Sequence, residues 1–371
     1  MPTSPVIKFT SSTAISALSD AIKSATDAGC KTILLLTCID NDYDEEQINR
    51  LLSESALPIC GGMFAQIILQ GNAYSQGAIV LGLMFTAEIA NYSLLSTTHY
   101  DLPRYIEENS KNIADHQNFI VIADAFYSAN ENFTDQFYNY IGSGITVIGG
   151  GSGSLDFIPR PSIYCNQGLM SDAIQIIGIP YPIKNAIGHG WEILDGPYLV
   201  TASEGHYVHS LNYIPTFELY RDAIQKAARQ TLTQEDFFTV AKHFPLGIMS
   251  IDGELLVRDP IQSDGSYLEC VGNVPVNSMV YLLKGDPDSM ILATGEKAQD
   301  LFAAGQGKTL LLFNCISRAL FMGDRIEHEL KAIQDRFSDS CLVGAMSLGE
   351  IADTENGAIR LLNKSTVIGS F

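Results

Sequence analysis

Positive charge is what this sequence has least of. Only 22 Lys and Arg stand against 42 Asp and Glu, a net charge of −20 over 371 residues. That balance repels phosphate backbones and anionic bilayers, which argues against both nucleic-acid and membrane-surface partners. Charge of either sign is scarce at 17%, whereas apolar residues reach 46%, enough for a packed core and too many for a disordered chain. No apolar run approaches the roughly 20 residues that span a bilayer; the longest, such as residues 79–85, are strand-sized. The opening Met1-Pro2-Thr3-Ser4-Pro5 lacks a basic or apolar segment and does not read as a secretory signal. The seven cysteines show no CxxC or CxxxC spacing, and Cys38, Cys60, Cys315 and Cys341 lie in or beside apolar runs. They read as reduced thiols packed as small hydrophobes, which points to a cytoplasmic protein. The seven histidines form no HxH or HExxH pair, so no metal site is expected.

What is present is an alternation of apolar strand patterns and amphipathic helix patterns. Residues 31–38 read as a buried strand, 45–52 as a short helix and 57–63 as a second strand. Residues 119–123, 130–141 and 145–148 repeat that order, as does the last quarter. There Asp286-Pro287 caps a helix reaching about residue 304, 309–314 is a strand, 319–337 a helix and 341–346 a strand. The middle differs, with short strands at 198–203, 207–211, 246–251, 254–257, 267–271 and 279–283, and Asp252-Gly253 marks a hairpin. The sheets are therefore expected to be mixed.

An internal repeat is visible. Lys31-Thr-Ile-Leu-Leu-Leu-Thr-Cys-Ile39 aligns with Lys308-Thr-Leu-Leu-Leu-Phe-Asn-Cys-Ile316, six of nine positions being identical, and Gly77-Ala-Ile79 matches Gly357-Ala-Ile359. The expected fold is α/β with mixed sheets and some α+β character, built of two related α/β units packed pseudo-symmetrically.

Few motifs point to chemistry. Gly305-Gln-Gly-Lys-Thr309 resembles the end of a P-loop, but Phe302 stands where the first glycine belongs and the helix-to-strand context is reversed, so it reads as a turn. Gly149, Gly150 and Gly151, in Gly149-Gly-Gly-Ser-Gly153, follow a strand, where open α/β sheets place ligands. Asn314-Cys-Ile-Ser-Arg318 lies where a strand gives way to a helix. Asn314, Cys315 and Ser317 are polar groups for a pocket, and Arg318 is a fork suited to a carboxylate. Glu350, after Gly349, is a partner for Arg318 or for a ligand ammonium. His189, in His189-Gly-Trp191, adjoins the only tryptophan. Cys315 is a nucleophile only if its pKa is lowered, so ligand contact is preferred over catalysis.

These residues resemble the FIST family. Asn314-Cys-Ile-Ser-Arg318 with Gly349-Glu-Ile351, and Val257-Arg-Asp-Pro260 with the strands after it, are similar to the FIST C domain. The glycine run at 149–153 and Gly188-His-Gly-Trp191 leading to Ser203-Glu-Gly205 are similar to the FIST N domain. The resemblance covers residues 31–366 and implies a FIST N domain over 1–212 and a FIST C domain over 213–371. It implies a non-enzymatic sensor of a small molecule, amino acids being suggested ligands. The sensor would act on a separate partner such as a histidine kinase, a chemotaxis receptor or a cyclic-dinucleotide enzyme. No cofactor is expected, although some relatives resemble haem-based gas sensors, for which His189, His206, His209 or His243 would be the axial ligand. An enzyme with Cys315 as nucleophile is the third reading. The chain departs from the family pattern at Gln66, where an acid is usual, and at Leu362-Asn-Lys-Ser-Thr366, where a His-Asn-Gln-Thr ending is usual.

Overall fold

The structure, a computed structural model, describes residues 4–93, 95–96, 101–127, 130–250, 253–304, 309–337, 340–354 and 357–371. The first unit runs β1 (Val6–Thr10), α1 (Ile15–Asp27), β2 (Thr32–Cys38), α2 (Glu45–Ser53), β3 (Ile59–Phe64), β4 (Gln66–Leu69), β5 (Asn72–Tyr74) and β6 (Ala78–Leu83). β2 is buried along its whole length because it faces two cores. Leu34, Leu36 and Cys38 point to the centre of the molecule, and Ile33 and Leu35 meet Leu18, Ile22, Ile48 and Leu52 of the two helices. A strand apolar on both faces is the signature of a covered parallel pair, and β2 does run parallel to β3. The Asp44 carboxylate accepts from the N–H of Gln47 and starts α2.

The same order recurs in β7 (Glu88–Tyr92), α3 (Leu102–Asn109), β8 (Asn118–Asp124), α4 (Asn130–Ile141), β9 (Thr146–Ser152), β10 (Ile163–Cys165), β11 (Gly168–Met170) and β12 (Ile174–Ile179). A third unit opens with β13 (Lys184–Gly188) and is then interrupted. The interruption comprises β14 (Glu192–Glu204), β15 (Tyr207–Leu211), β16 (Ile214–Pro215), α5 (Thr216–Ala228), α6 (Phe237–Ala241), β17 (Leu246–Met249), β18 (Leu255–Gln262), β19 (Leu268–Val271) and β20 (Met279–Lys284). The unit resumes with α7 (Pro287–Ala303), β21 (Thr309–Cys315), α8 (Ile316–Met322), α9 (Arg325–Arg336), β22 (Cys341–Ser347), β23 (Glu350–Asp353), β24 (Ile359–Leu362) and β25 (Thr366–Ser370).

Each unit thus has a parallel pair, β2–β3, β8–β9 or β21–β22, in the middle of a six-stranded sheet. The pairs are equivalent in detail. A side chain on Gly61, Gly149 or Gly344 would place Cβ 2.0, 2.1 or 2.0 Å from the carbonyl oxygen of Leu35, Val121 or Leu312, the residue directly opposite. Only glycine lets these strands close. Each unit also lends a hairpin to another unit's sheet: β4–β5 adds to β22, β10–β11 to β3 and β23–β24 to β9. The inner faces of all three sheets share one core, including Leu34, Ile122 and Phe313. The pseudo-symmetry read from the repeat at 31–39 and 308–316 is present, and a third copy lies between those two. That copy showed in the strand–helix–strand order of 119–148 but not as a repeat of residues, because its central strand carries neither the Lys-Thr start nor the cysteine of the other two.

The interrupting segment closes on itself as a barrel in the order β14-β20-β17-β18-β19-β15, with β15 returning to β14. Its core, including Val200, Leu246, Leu268 and Val280, is separate. The strands flanking the expected 252–253 hairpin, β17 and β18, pair antiparallel, although Ile251 and Asp252 lie outside the described residues. So do residues 305–308 of the rejected P-loop. One expectation is corrected: the helix over 319–337 is two helices. Gly323 breaks it in a positive-φ conformation that other residues avoid. The Asp286–Pro287 start of α7 is formed, the Asp286 carboxylate accepting from Ser289 N–H.

Candidate functional site

Most of the residues singled out in the sequence converge at the ends of β21 and β22, but they face each other. Arg318, in the first turn of α8, is wholly buried, as is Glu329 on α9. Nε of Arg318 donates to both Glu329 carboxylate oxygens at 3.1 Å. Nη2 donates to Glu329 Oε2, to the Met290 carbonyl and to Thr294 Oγ1, and Nη1 to the carbonyls of His189 and Lys364. Every guanidinium nitrogen is committed, so Arg318 has no fork to offer a ligand carboxylate. The expected Arg318–Glu350 pair is replaced by Arg318–Glu329. Asn314 joins the same carboxylate, its Nδ2 donating at 2.8 Å.

A second buried pair stands beside the first. Lys364 Nζ lies 3.1 Å from Asp259 Oδ1 and donates to Ser317 Oγ and the Lys242 carbonyl. Ser317 in turn donates to Asp259 Oδ2 at 2.6 Å. Lys364 is held at φ 51°, an uncommon left-handed position for a side chain of this size, with its Nζ 5.3 Å from the Trp191 ring centroid.

Glu350 is fully buried, and among the described residues no cation pairs with it. It accepts from Ser347 Oγ at 3.0 Å and from the N–H of Ser365 at 3.3 Å. Burial raises its pKa well above the usual 4.5. Burial also pushes the neighbouring Cys315 thiol up to about 12, with the Glu350 charge adding to the effect. The thiol is the wrong protonation state for a nucleophile. The glycine run lies against this group, but for packing. A side chain on Gly150 would meet Ser347 and Phe313 within 3 Å, and one on Gly151 would meet the Leu348 carbonyl at 2.4 Å. The glycines expected to line a pocket admit protein, leaving no room for a ligand.

His189 is the exception. It directly follows β13, on the wall of a cleft of about 880 Å³ between the barrel and the three-sheet body. Glu131 of α4, Arg258 and Glu254 of the barrel, Lys297 of α7 and Arg360 of β24 also line it. Nδ1 of His189 accepts from the Trp191 N–H at 3.0 Å. Burial, then the charges of Arg318 and Lys297, lower its pKa to about 4, so at neutral pH the ring is uncharged and its proton sits on Nε2. That tautomer, among charged walls, does not fit an axial haem ligand, which needs the Nε2 lone pair. Two groups of the wall reach the buried cluster: the His189 carbonyl accepts from Arg318, and the Ser365 N–H donates to Glu350.

Sequence reasoning missed Glu131, Lys297 and Arg360 altogether. Only Arg258 had a local signal, in Val257-Arg-Asp-Pro260. Arg258 is buried and bridges barrel to body: Nη2 donates to Glu131 Oε1 at 2.5 Å, and Glu131 Oε2 accepts the Asn273 N–H at 2.6 Å. Among the described residues no cluster of three or more His, Cys, Asp or Glu could hold a metal ion. All seven cysteines are free thiols, and no described helix is long and apolar enough to cross a membrane.

Fold and cleft together define a three-sheet α/β protein with an inserted barrel and a groove of mixed polar and apolar lining at their junction. Residues 32–213 match the FIST N domain and residues 216–353 the FIST C domain, and the chain belongs to the FIST family. FIST domains are sensory domains of signal transduction. No curated protein matches the sequence. The two matched spans meet at β16 of the barrel, which neither covers, and they interleave: β4 pairs with β22 and β9 with β23.

Proposed function

We propose that this chain is a cytoplasmic, non-enzymatic sensor whose small polar ligand binds in the cleft between barrel and body. The observation that supports the reading best is the cleft itself. It is large enough for a metabolite and lined by groups of both charges. Its walls come from two bodies, so a bound molecule that touches both favours one barrel position over others. His189 contributes a neutral Nε2–H donor, and its carbonyl ties the wall to the Arg318–Glu329 pair. Asn314, Ser317, Arg318 and Glu350 hold the wall in place from behind without touching the ligand. A separate partner, of the histidine kinase, chemotaxis or cyclic-dinucleotide kind, reads the barrel position.

The test is a thermal-shift screen of small polar metabolites, amino acids first, on wild type and on Ala293→Trp, which fills the cleft from α7. A compound that stabilises wild type and not Ala293→Trp is expected. Equal stabilisation of both proteins would place the ligand elsewhere and overturn the proposal.

A further inference from the structure

We infer that Arg258 and the backbone N–H of Asn273 form an anion subsite of the cleft, which the Glu131 carboxylate occupies in the free protein and which a carboxylate or phosphate group of the ligand takes over. This inference rests on the cleft being the ligand site. Glu131 belongs to the body, on α4, whereas Arg258 and Asn273 belong to the barrel, and all three line the cleft. The carboxylate is held at both oxygens, by Nη2 of Arg258 at 2.5 Å and by the Asn273 N–H at 2.6 Å. The receptor is fixed independently of that carboxylate. Nε of Arg258 donates to the Asn273 carbonyl at 2.9 Å, and Nη1 to the carbonyls of Leu361 and Val257. A guanidinium pinned by three carbonyls keeps its orientation when its anion leaves, which is the preorganisation an oxyanion site needs.

The two sides differ in exposure. The Arg258 side chain is 3% exposed and that of Glu131 is 18% exposed, so the anion, and not the cation, is the exchangeable partner. A buried guanidinium without an anion is costly, so the position is always filled, by Glu131 or by a substitute. In a chain of net charge −20, an anionic ligand needs such a sheltered cation to bind at all. Lys297 and Arg360 also line the cleft, but Asp135, Glu254, Glu296 and Asp300 outnumber them, so the attraction for an anion is local to Arg258 and the Asn273 N–H. Displacing Glu131 removes the carboxylate link between α4 and the barrel. The Arg258–Leu361 hydrogen bond and the Asp259–Lys364 pair still join barrel to body, so α4 is released while the barrel stays attached.

The experiment titrates succinate and inorganic phosphate, separately and at constant ionic strength, into full-length wild type, Glu131→Gln and the double variant Glu131→Gln/Arg258→Lys. Binding is read by calorimetry and by the fluorescence of Trp191, the only tryptophan. A tethered carboxylate competes at an effective concentration of about millimolar or more, so Glu131→Gln binds one of the two probes at least about tenfold tighter than wild type. Arg258→Lys in that background abolishes the gain, because a point charge cannot reproduce the fork. Tighter succinate binding assigns a carboxylate ligand, and tighter phosphate binding a phosphate ligand. Equal affinities in wild type and Glu131→Gln, or no binding to either, overturn the subsite. If Ala293→Trp still loses the screened cleft ligand in that case, the cleft reading survives; if it does not, both fall. Should Glu131→Gln not fold, wild type at saturating probe must show faster amide exchange in α4, and unchanged exchange overturns the inference.

Discussion

Breaking the Arg318–Glu329 pair should be among the most damaging single changes to this protein. Both side chains are completely buried. Arg318→Met removes the guanidinium and leaves the Glu329 carboxylate with only neutral donors: Asn314 Nδ2 at 2.8 Å, Thr366 Oγ1 at 3.2 Å and Thr294 Oγ1 at 3.4 Å. Three neutral hydrogen bonds, each worth about 1 kcal/mol net, do not replace a cation for a desolvated charge. The carbonyls of Met290, Lys364 and His189 lose a donor at the same time. Removing one partner of a buried pair costs about 3–5 kcal/mol, and the upper half of that range applies here. Replacing both partners by apolar groups, Arg318→Met with Glu329→Leu, removes the stranded charge and should recover at least about 2 kcal/mol of the loss. The assay is reversible urea unfolding, followed by circular dichroism and by Trp191 fluorescence, on wild type, both single variants and the double variant. A loss below about 1 kcal/mol in Arg318→Met would refute the reasoning, as would a double variant no more stable than the worse single one.

Other outcomes follow from the same geometry. Gly344→Ala should cost at least about 2 kcal/mol, because its Cβ would sit 2.0 Å from the Leu312 carbonyl oxygen, while Gly295→Ala, in α7 with nothing within 4 Å, should stabilise by up to about 1 kcal/mol; equal midpoints in urea would contradict both. His189 has a folded pKa near 4 against an ordinary 6.5, so the unfolded chain binds the extra proton between those values. The stability it contributes is whole above pH 6.5 and is lost as pH falls towards 4, and His189→Phe should flatten that part of the stability–pH curve. Glu350 has the opposite sign: its raised pKa favours the protonated folded form, and stability falls as pH rises above 4.5. Glu350→Gln should therefore match wild type within about 1 kcal/mol at pH 5 and exceed it at pH 8, measured by urea midpoints at the two values. Cys315 should alkylate in the native state much more slowly than a free thiol, since burial holds it protonated; rapid labelling located by mass spectrometry would reopen a nucleophilic role.

How far the site was legible depends on the kind of residue. Strand runs that are apolar on both faces, such as β2 and β21, announce a covered parallel pair by composition alone, and the Asp286–Pro287 helix start is a local signal read correctly. The repeat at residues 31 and 308 revealed two of three units, since identity at the residue level survives only there. The glycines of the middle unit, Gly149 to Gly151, were visible, but a glycine that makes room for a ligand and one that makes room for a neighbouring carbonyl have the same letter. Arg318 and Glu350 were equally visible as charged residues at strand ends. Whether a charge at such a place meets a ligand or a partner depends on what another segment brings, and here α9 brings Glu329.

By itself, then, the sequence determined most local elements, the mixed α/β character and the free cysteines, because each rests on composition or on neighbours within about ten positions, and the family, because its motifs keep their order along the chain. The tertiary structure decided the rest. The exchange of hairpins among three sheets joins residues such as Gly150 and Glu350 that lie 200 positions apart. The closure of the barrel sets Arg258 against Glu131, and the cleft exists only where those two bodies meet. No periodicity records a contact of that range, since its energy comes from groups that come together only when the whole chain is folded.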